Sequence, residues 1–152
     1  MYVSLAEVTR SDMAKRKGID NSPTPEHLEN LKVICSEVFD KVRVYFGVPL
    51  HISSAYRSDA LNKAIKGSKS SDHCSGRALD LDQDGHGNGV TNADVFNYIK
   101  DHLEFDQLIW EHGTAKNPDW VHVGYRKGEN RKQVLEAYRD AQGKTKYKPY
   151  KK

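Results

Sequence analysis

Residues 71–82 read Ser-Asp-His-Cys-Ser-Gly-Arg-Ala-Leu-Asp-Leu-Asp, a loop that passes through Gly76 into a short strand. Glycine permits the tight turn at that junction. From Arg77 onward the residue types alternate. Ala78, Asp80 and Asp82 fall on one face of the strand, Leu79 and Leu81 on the other. The small Ala78 leaves room above the sheet between His73 and Asp80. An acid facing a sheet among Ala and Leu is costly without a cation or hydrogen-bond donors. Imidazole and carboxylate together make part of a zinc set that lacks one or two ligands. On spacing alone, an Asp that accepts backbone hydrogen bonds in a turn is the competing reading.

The chain on either side supplies the rest of a fold. Residues 18–25, GIDNSPTP, form a loop. Thr24 reads as an N-cap with Pro25 at the first helical position. Leu28, Leu31, Cys35, Val38, Val42 and Tyr45 follow at helical spacing, which predicts one long amphipathic helix closed by Gly47 and Pro49. A strand at 51–56 and a short helix at 58–66, capped by Ser58, come next. Beyond Asp82 lies the loop DQDGHGNG. Thr91 with Asp94 then forms a capping box for a helix to about Leu103. Residues 105–111 and 120–125 read as two strands joined by HGTAKNPD. Pattern alone leaves 130–141 open between helix and strand. The mixture predicts an α+β domain, a small antiparallel sheet with helices packed on one side.

Composition bounds the function. The 152 residues carry 24 Lys+Arg against 21 Asp+Glu, a net charge of +3, and 37% of them are hydrophobic. That suits one monomeric domain, placed at 1–141, followed by a basic tail at 142–152. No run approaches the ~18 apolar residues of a membrane span, so no membrane insertion is expected. The mild charge, without basic clusters interleaved with aromatics, predicts no nucleic-acid partner. Two cysteines exclude a disulfide scaffold and a four-thiolate zinc knot. The N-terminus has no basic stretch followed by an apolar one, so it does not read as a secretory signal. The end of the chain, AQGKTKYKPYKK, has five lysines and no acid. It reads as a solvated, frayed tail, with weak attraction to an anionic polymer as the functional alternative.

A second segment bears on the chemistry. In Asp119-Trp-Val-His-Val-Gly-Tyr125, strand alternation sets Trp120, His122 and Gly124 on one face. His122, flanked by valines, is either a well-held ligand or a satisfied core histidine.

Ser71-x-His73-x-x-Gly76-x-Ala78-x-Asp80, followed by Trp120-x-His122, resembles the zinc D-Ala-D-Ala carboxypeptidase family, whose metal site is shared with hedgehog-type and related murein endopeptidases. SAYRSDALNKAIKGSKSSDHCSGRALDLD, FDQLIWE and DWVHVGY occur in the family's order. TRSDMAKRKGIDNSPTP resembles the N-terminal part of phage and prophage members, and the likeness covers residues 4–140. It implies His73, Asp80 and His122 as the three protein ligands of one zinc ion, with water in the fourth position. Zinc lowers the pKa of such a water to about 7 for attack on an amide carbonyl. A general base must then move the proton to the leaving amine. Glu111, which ends LIWE as in phage-type members, is slightly favoured. Asp119, three residues before His122, matches the family's E-x-x-H with a shorter acid. Arg57, in S-x-Y-R-S, is implied as a catalytic and substrate-binding fork for a carbonyl or carboxylate oxygen. Ser71 is implied as a substrate-binding hydroxyl.

The expected function is therefore peptidoglycan stem-peptide hydrolysis, as carboxypeptidase or endopeptidase, by a phage endolysin made in the host cytoplasm and acting on the cell wall. The basic tail would aid retention there. A non-catalytic wall-binding or virion domain of the same fold is the alternative. Cys74 beside His73 suggests a nucleophile pair, but adjacent side chains point apart. The loop from Asp82 faintly resembles a calcium loop, yet Ala93 stands where the bidentate Glu belongs.

Overall fold

Three hydroxyl side chains start the first three helices, each accepting a bond from the backbone N–H three residues on. Ser4 opens α1 (Leu5–Thr9), Ser11 opens α2 (Asp12–Lys17) and Thr24 opens α3 (Pro25–Ile34). A computed structural model describes residues 2–151. Beyond α3 the helical path continues through one π-helical turn, Cys35–Phe39, into α4 (Asp40–Phe46). The wide turn holds an extra residue and rotates later positions by about 100°. That alters the apolar stripe. Ile34 and Phe39 join Leu31, Cys35, Val38 and Val42 in the core, whereas Tyr45 is 61% exposed and stacks on Tyr98 at 4.0 Å.

The remaining elements are β1 (Ile52–Ser54), α5 (Asp59–Ala64), a 3₁₀ turn at Asp72–Ser75, β2 (Ala78–Leu81), α6 (Asn92–His102), β3 (Gln107–Glu111), β4 (Trp120–Gly124), β5 (Gln133–Arg139) and β6 (Thr145–Pro149). The Thr91–Asp94 capping box of α6 forms as the sequence predicts. The six strands make one sheet in the order β1-β2-β4-β3-β5-β6. It is antiparallel apart from the β3–β5 pair, which is parallel. The fold is α+β. Among the described residues no helix is long and apolar enough to cross a membrane.

Two stretches differ from expectation or resolve it. Residues 130–141, open in the sequence, supply β5. The supposed frayed tail supplies β6, paired with β5 from Arg139↔Thr145 to Leu135↔Pro149. The lysines hide a strand pattern: Lys144, Lys146 and Lys148 alternate with Thr145, Tyr147 and Pro149. Tyr150 anchors the end. Its ring lies 4.8 Å from Phe96 and 5.6 Å from Trp110, and its N–H donates to the Val134 carbonyl. Edge lysines of this kind also discourage edge-to-edge pairing with another chain.

One face of the sheet carries Leu79, Leu81, Leu108, Val121 and Val123, all essentially inaccessible, in one cluster with Val95, Phe96 and Ile99 of α6 and with the α3–α4 stripe. Burial of each such side chain contributes roughly 1.5–3 kcal/mol. Asn92, fully buried, locks α6 to the site-bearing strands. It donates to the Pro118 and Asp119 carbonyls and to Asp82 Oδ1, and accepts from the Gln83 N–H. The opposite face carries the alternate residues of β2, β4, β3 and β5, and these line a cleft.

Candidate metal centre

Ser71 and Gly76 bracket the turn that presents His73. The Ser71 hydroxyl accepts the His73 N–H, and Gly76 closes the turn at φ 75°. A Cβ at Gly76 would lie 2.4 Å from the His27 carbonyl oxygen, so glycine is required there for space as well as conformation. The turn delivers His73 to a site where it is 2% exposed. Its Nδ1–H donates to the Ala55 carbonyl, which turns Nε2, the nitrogen that would ligate a metal, toward Asp80.

Strand register does the rest. β2 and β4 pair with Asp80 directly opposite His122. The Asp80 carboxylate lies 3.3 Å from His73 Nε2 and 3.0 Å from His122 Nδ1. One ligand atom from each of the three residues lies within 4.8 Å of the others. Ligand atoms of a tetrahedral zinc, with bonds of 2.0–2.1 Å, stand about 3.3 Å apart. The donor set, two imidazoles and one carboxylate, is that of an open zinc site with three protein ligands, and the residues fit the ion. Burial would raise the Asp80 carboxyl, but the charges and hydrogen bonds of His73 and His122 outweigh it and hold it well below the usual carboxylate range. The group is ionised at ordinary pH, the state in which a carboxylate can hold a metal.

The cleft above these residues has a volume of about 610 Å³ and is lined, among others, by Arg57, Ser71, Glu111, Trp120, Arg139 and Tyr147. Arg57 and Ser71 meet here. Arg57 Nη2 donates to Ser71 Oγ at 3.2 Å, and its Nε is buried without a partner. A buried unpaired donor is costly, and here it awaits an acceptor.

The structure separates the two candidate bases. Glu111 faces the cleft on β3, opposite Trp120, and is 6% exposed. Burial first, and the Asp80 carboxylate second, push its pKa up to about 7 against the opposing pull of His122. Asp119 is exposed just outside β4 and is not among the residues that line the cleft, although its charge acts on His112, which is. The Asp119 backbone N–H donates to the Glu111 carbonyl where the hairpin closes.

Glu111 thus costs stability. Unfolded, it ionises near 4.5; folded, it keeps its proton to about 7, so stability falls as pH rises through that window. In chelator-stripped protein, Glu111→Gln should be more stable than wild type by up to about 3 kcal/mol at pH 8. The difference should vanish near pH 4.5, as read by urea denaturation at both values.

Among the cleft residues that the sequence reading did not single out are His112, Arg139 and Tyr147. His112, at φ 56°, holds its ring 3.9 Å from the Glu111 carboxylate. Arg139 and Tyr147 come from the β5–β6 hairpin. The period-two alternation of the lysines was the signal for Tyr147. His112 left only its place beside Glu111 and Gly113. Cys74 is half-buried with its thiol raised, first by burial, which disfavours a nucleophile. Asp82 accepts from the Asp84 N–H and the Asn92 side chain, a structural role for the glycine-rich loop.

Two histidines, an aspartate and a buried glutamate gathered at the open face of the sheet make the kind of site that a metal-dependent hydrolase uses. The sequence pattern of the Peptidase M15 family matches residues 1–124. No curated protein matches the chain. The chain belongs to the Peptidase M15 family, a family of metallopeptidases.

Proposed function

We propose that the protein is a zinc peptidase that hydrolyses an amide bond of the peptidoglycan stem peptide, as carboxypeptidase or endopeptidase, in the role of a phage endolysin. The observation that carries this is the convergence of His73, Asp80 and His122 beneath a cleft that also holds Glu111. When bound, zinc supplies a Lewis acid that polarises the amide carbonyl and acidifies a water. The remaining work falls to the chain. Glu111 takes the proton of the attacking water on its carboxylate and passes it to the departing amine nitrogen as the C–N bond breaks. Arg57, with its unpartnered Nε, donates to the carbonyl oxygen as charge builds there. The Ala55 carbonyl fixes the His73 ring.

Likeness to phage and prophage members supports synthesis in a host cytoplasm and action on the wall. The test is digestion of purified murein followed by mass spectrometry of the soluble muropeptides. Hydrolysis should vanish with chelator, return with zinc and be absent in His73→Ala. Activity that survives both chelation and His73→Ala would overturn the reading. Binding to murein without any cleavage would make the protein a wall-binding module.

A further inference from the structure

The family pattern ends at Gly124, before β5 and β6. Those two strands nevertheless build one wall of the cleft. Registers place Trp120, Glu111, Ala137 and Tyr147 in one row across four strands, with Arg139 and Thr145 in the adjacent row. Because Ala137 is small, nothing bulky stands between the acid on β3 and the phenol on β6. Tyr147 is 55% exposed at the edge of the cleft, and its phenol is a hydrogen-bond donor at ordinary pH.

Arg57 and Arg139 are the only Lys or Arg side chains among the described residues that line this cleft. They sit on opposite sides of the His73–Asp80–His122 cluster, since Arg57 follows β1 while Arg139 ends β5. Nearby arginines are already committed: Arg126 pairs with Asp72 and Asp106, and Arg131 with Asp106. Arg139 differs. Its hydrogen bond is a long one, 3.4 Å, to the Gly143 carbonyl of its own hairpin, and among the described residues no carboxylate pairs with it. A guanidinium with spare donors, one row from a phenol on the same face of the sheet, can receive a carboxylate.

The direction of the substrate follows from proton transfer. The acid that protonates the leaving nitrogen must stand on the nitrogen's side of the reacting carbonyl. Glu111 lies on the β3–β5–β6 side of the metal ligands, whereas Arg57 and Ser71 lie on the β1–β2 side. The amine-side residue therefore extends over Ala137 toward Arg139 and Tyr147.

We infer that the β5–β6 hairpin is a specificity element in which Arg139, assisted by Tyr147, binds a free carboxylate on the residue whose amine is released. The inference rests on the peptidase reading above and narrows its substrate class to amides whose leaving residue bears an unblocked carboxylate next to the scissile nitrogen. Two stem-peptide bonds supply that chemistry: D-Ala-D-Ala through the terminal carboxylate, and L-Ala-γ-D-Glu through the α-carboxylate.

The test uses the zinc-loaded full chain and the soluble pentapeptide L-Ala-γ-D-Glu-L-Lys-D-Ala-D-Ala in three forms: unblocked, amidated at the C-terminus, and amidated at the D-Glu α-carboxyl. Mass spectrometry shows which bond is cut, so the two amides distinguish the two sources. Wild type should prefer the unblocked form over the amide at the cleaved residue by about ten- to a hundredfold in kcat/KM, carried mainly by KM. Arg139→Gln should lose that preference by weakening the unblocked substrate only, and Arg139→Lys should restore part of it. Tyr147→Phe should lose a smaller share. Lys146→Gln removes the same charge from the other face of β6 and should keep the preference. Cleavage of free and amidated forms at equal rates by wild type, or full preference in Arg139→Gln, would overturn the inference and leave the peptidase reading standing. Inactivity of wild type on all three forms, and on murein, would overturn both.

Discussion

Replacing Glu111 by glutamine should lower kcat by about 10²–10⁴ while zinc stays bound. The amide matches the carboxylate in shape, so the cleft keeps its form, but it cannot take a proton from water. The group is well placed for the task. It faces the cleft on the strand next to His122, is 6% exposed, and burial raises its proton affinity toward neutrality in the metal-free protein. A base whose pKa lies near the working pH combines a usable ionised fraction with enough driving force for transfer. Asp119→Asn should stay within a few-fold of wild type, because that side chain is exposed outside the cleft. Steady-state kinetics on a soluble stem peptide, with zinc content measured on the same samples, decide the matter. Near-wild-type kcat in Glu111→Gln together with collapse in Asp119→Asn would move the base to Asp119. The low-pH limb of the wild-type rate profile should also disappear from the residual activity of Glu111→Gln.

The sequence exposed the candidate ligands because strand alternation is a short-range rule. Once Ala78–Leu81 and Trp120–Gly124 are strands, Asp80 and His122 each have a determined face, and His73 needs only the Gly76 turn to reach them. Which strands pair is a long-range fact. The choice between Glu111 and Asp119 stayed open because it depended on where β4 begins and what the β3–β4 hairpin turns toward the cleft. The hairpin is tight at Gly113, where a Cβ would lie 2.3 Å from the Asn117 carbonyl oxygen. The stripe from Leu28 to Tyr45 was misread at its far end, since a π turn leaves no mark in apolar spacing. The tail was misread because five lysines dominate its composition. Composition reported solvation, whereas the alternating Thr145, Tyr147 and Pro149 and the anchoring Tyr150 carried the strand.

Asp80→Ala should abolish zinc binding and activity together, and it should do so for a reason separable from general damage. Asp80 is the anionic member of the ligand set and touches both imidazoles, at 3.3 and 3.0 Å. Its depressed pKa means that the ionised carboxylate stabilises the fold above the unfolded-state pKa, an advantage lost progressively as pH falls below that value. The variant therefore starts from lower stability at neutral pH even without metal. Zinc-dependent stabilisation removes this ambiguity, since it compares each protein with itself. A ligand that binds only the folded state adds about 2.7 kcal/mol at a hundred times its Kd. Wild type should gain on that order from zinc, seen as a rise in Tm, and Asp80→Ala should gain nothing at the same concentration. His73→Ala should behave likewise, although its imidazole bears no charge when it ligates, so the shared loss reports coordination rather than electrostatics alone. A zinc-induced rise in Asp80→Ala equal to that of wild type would place the ion elsewhere and remove the basis of the proposed chemistry.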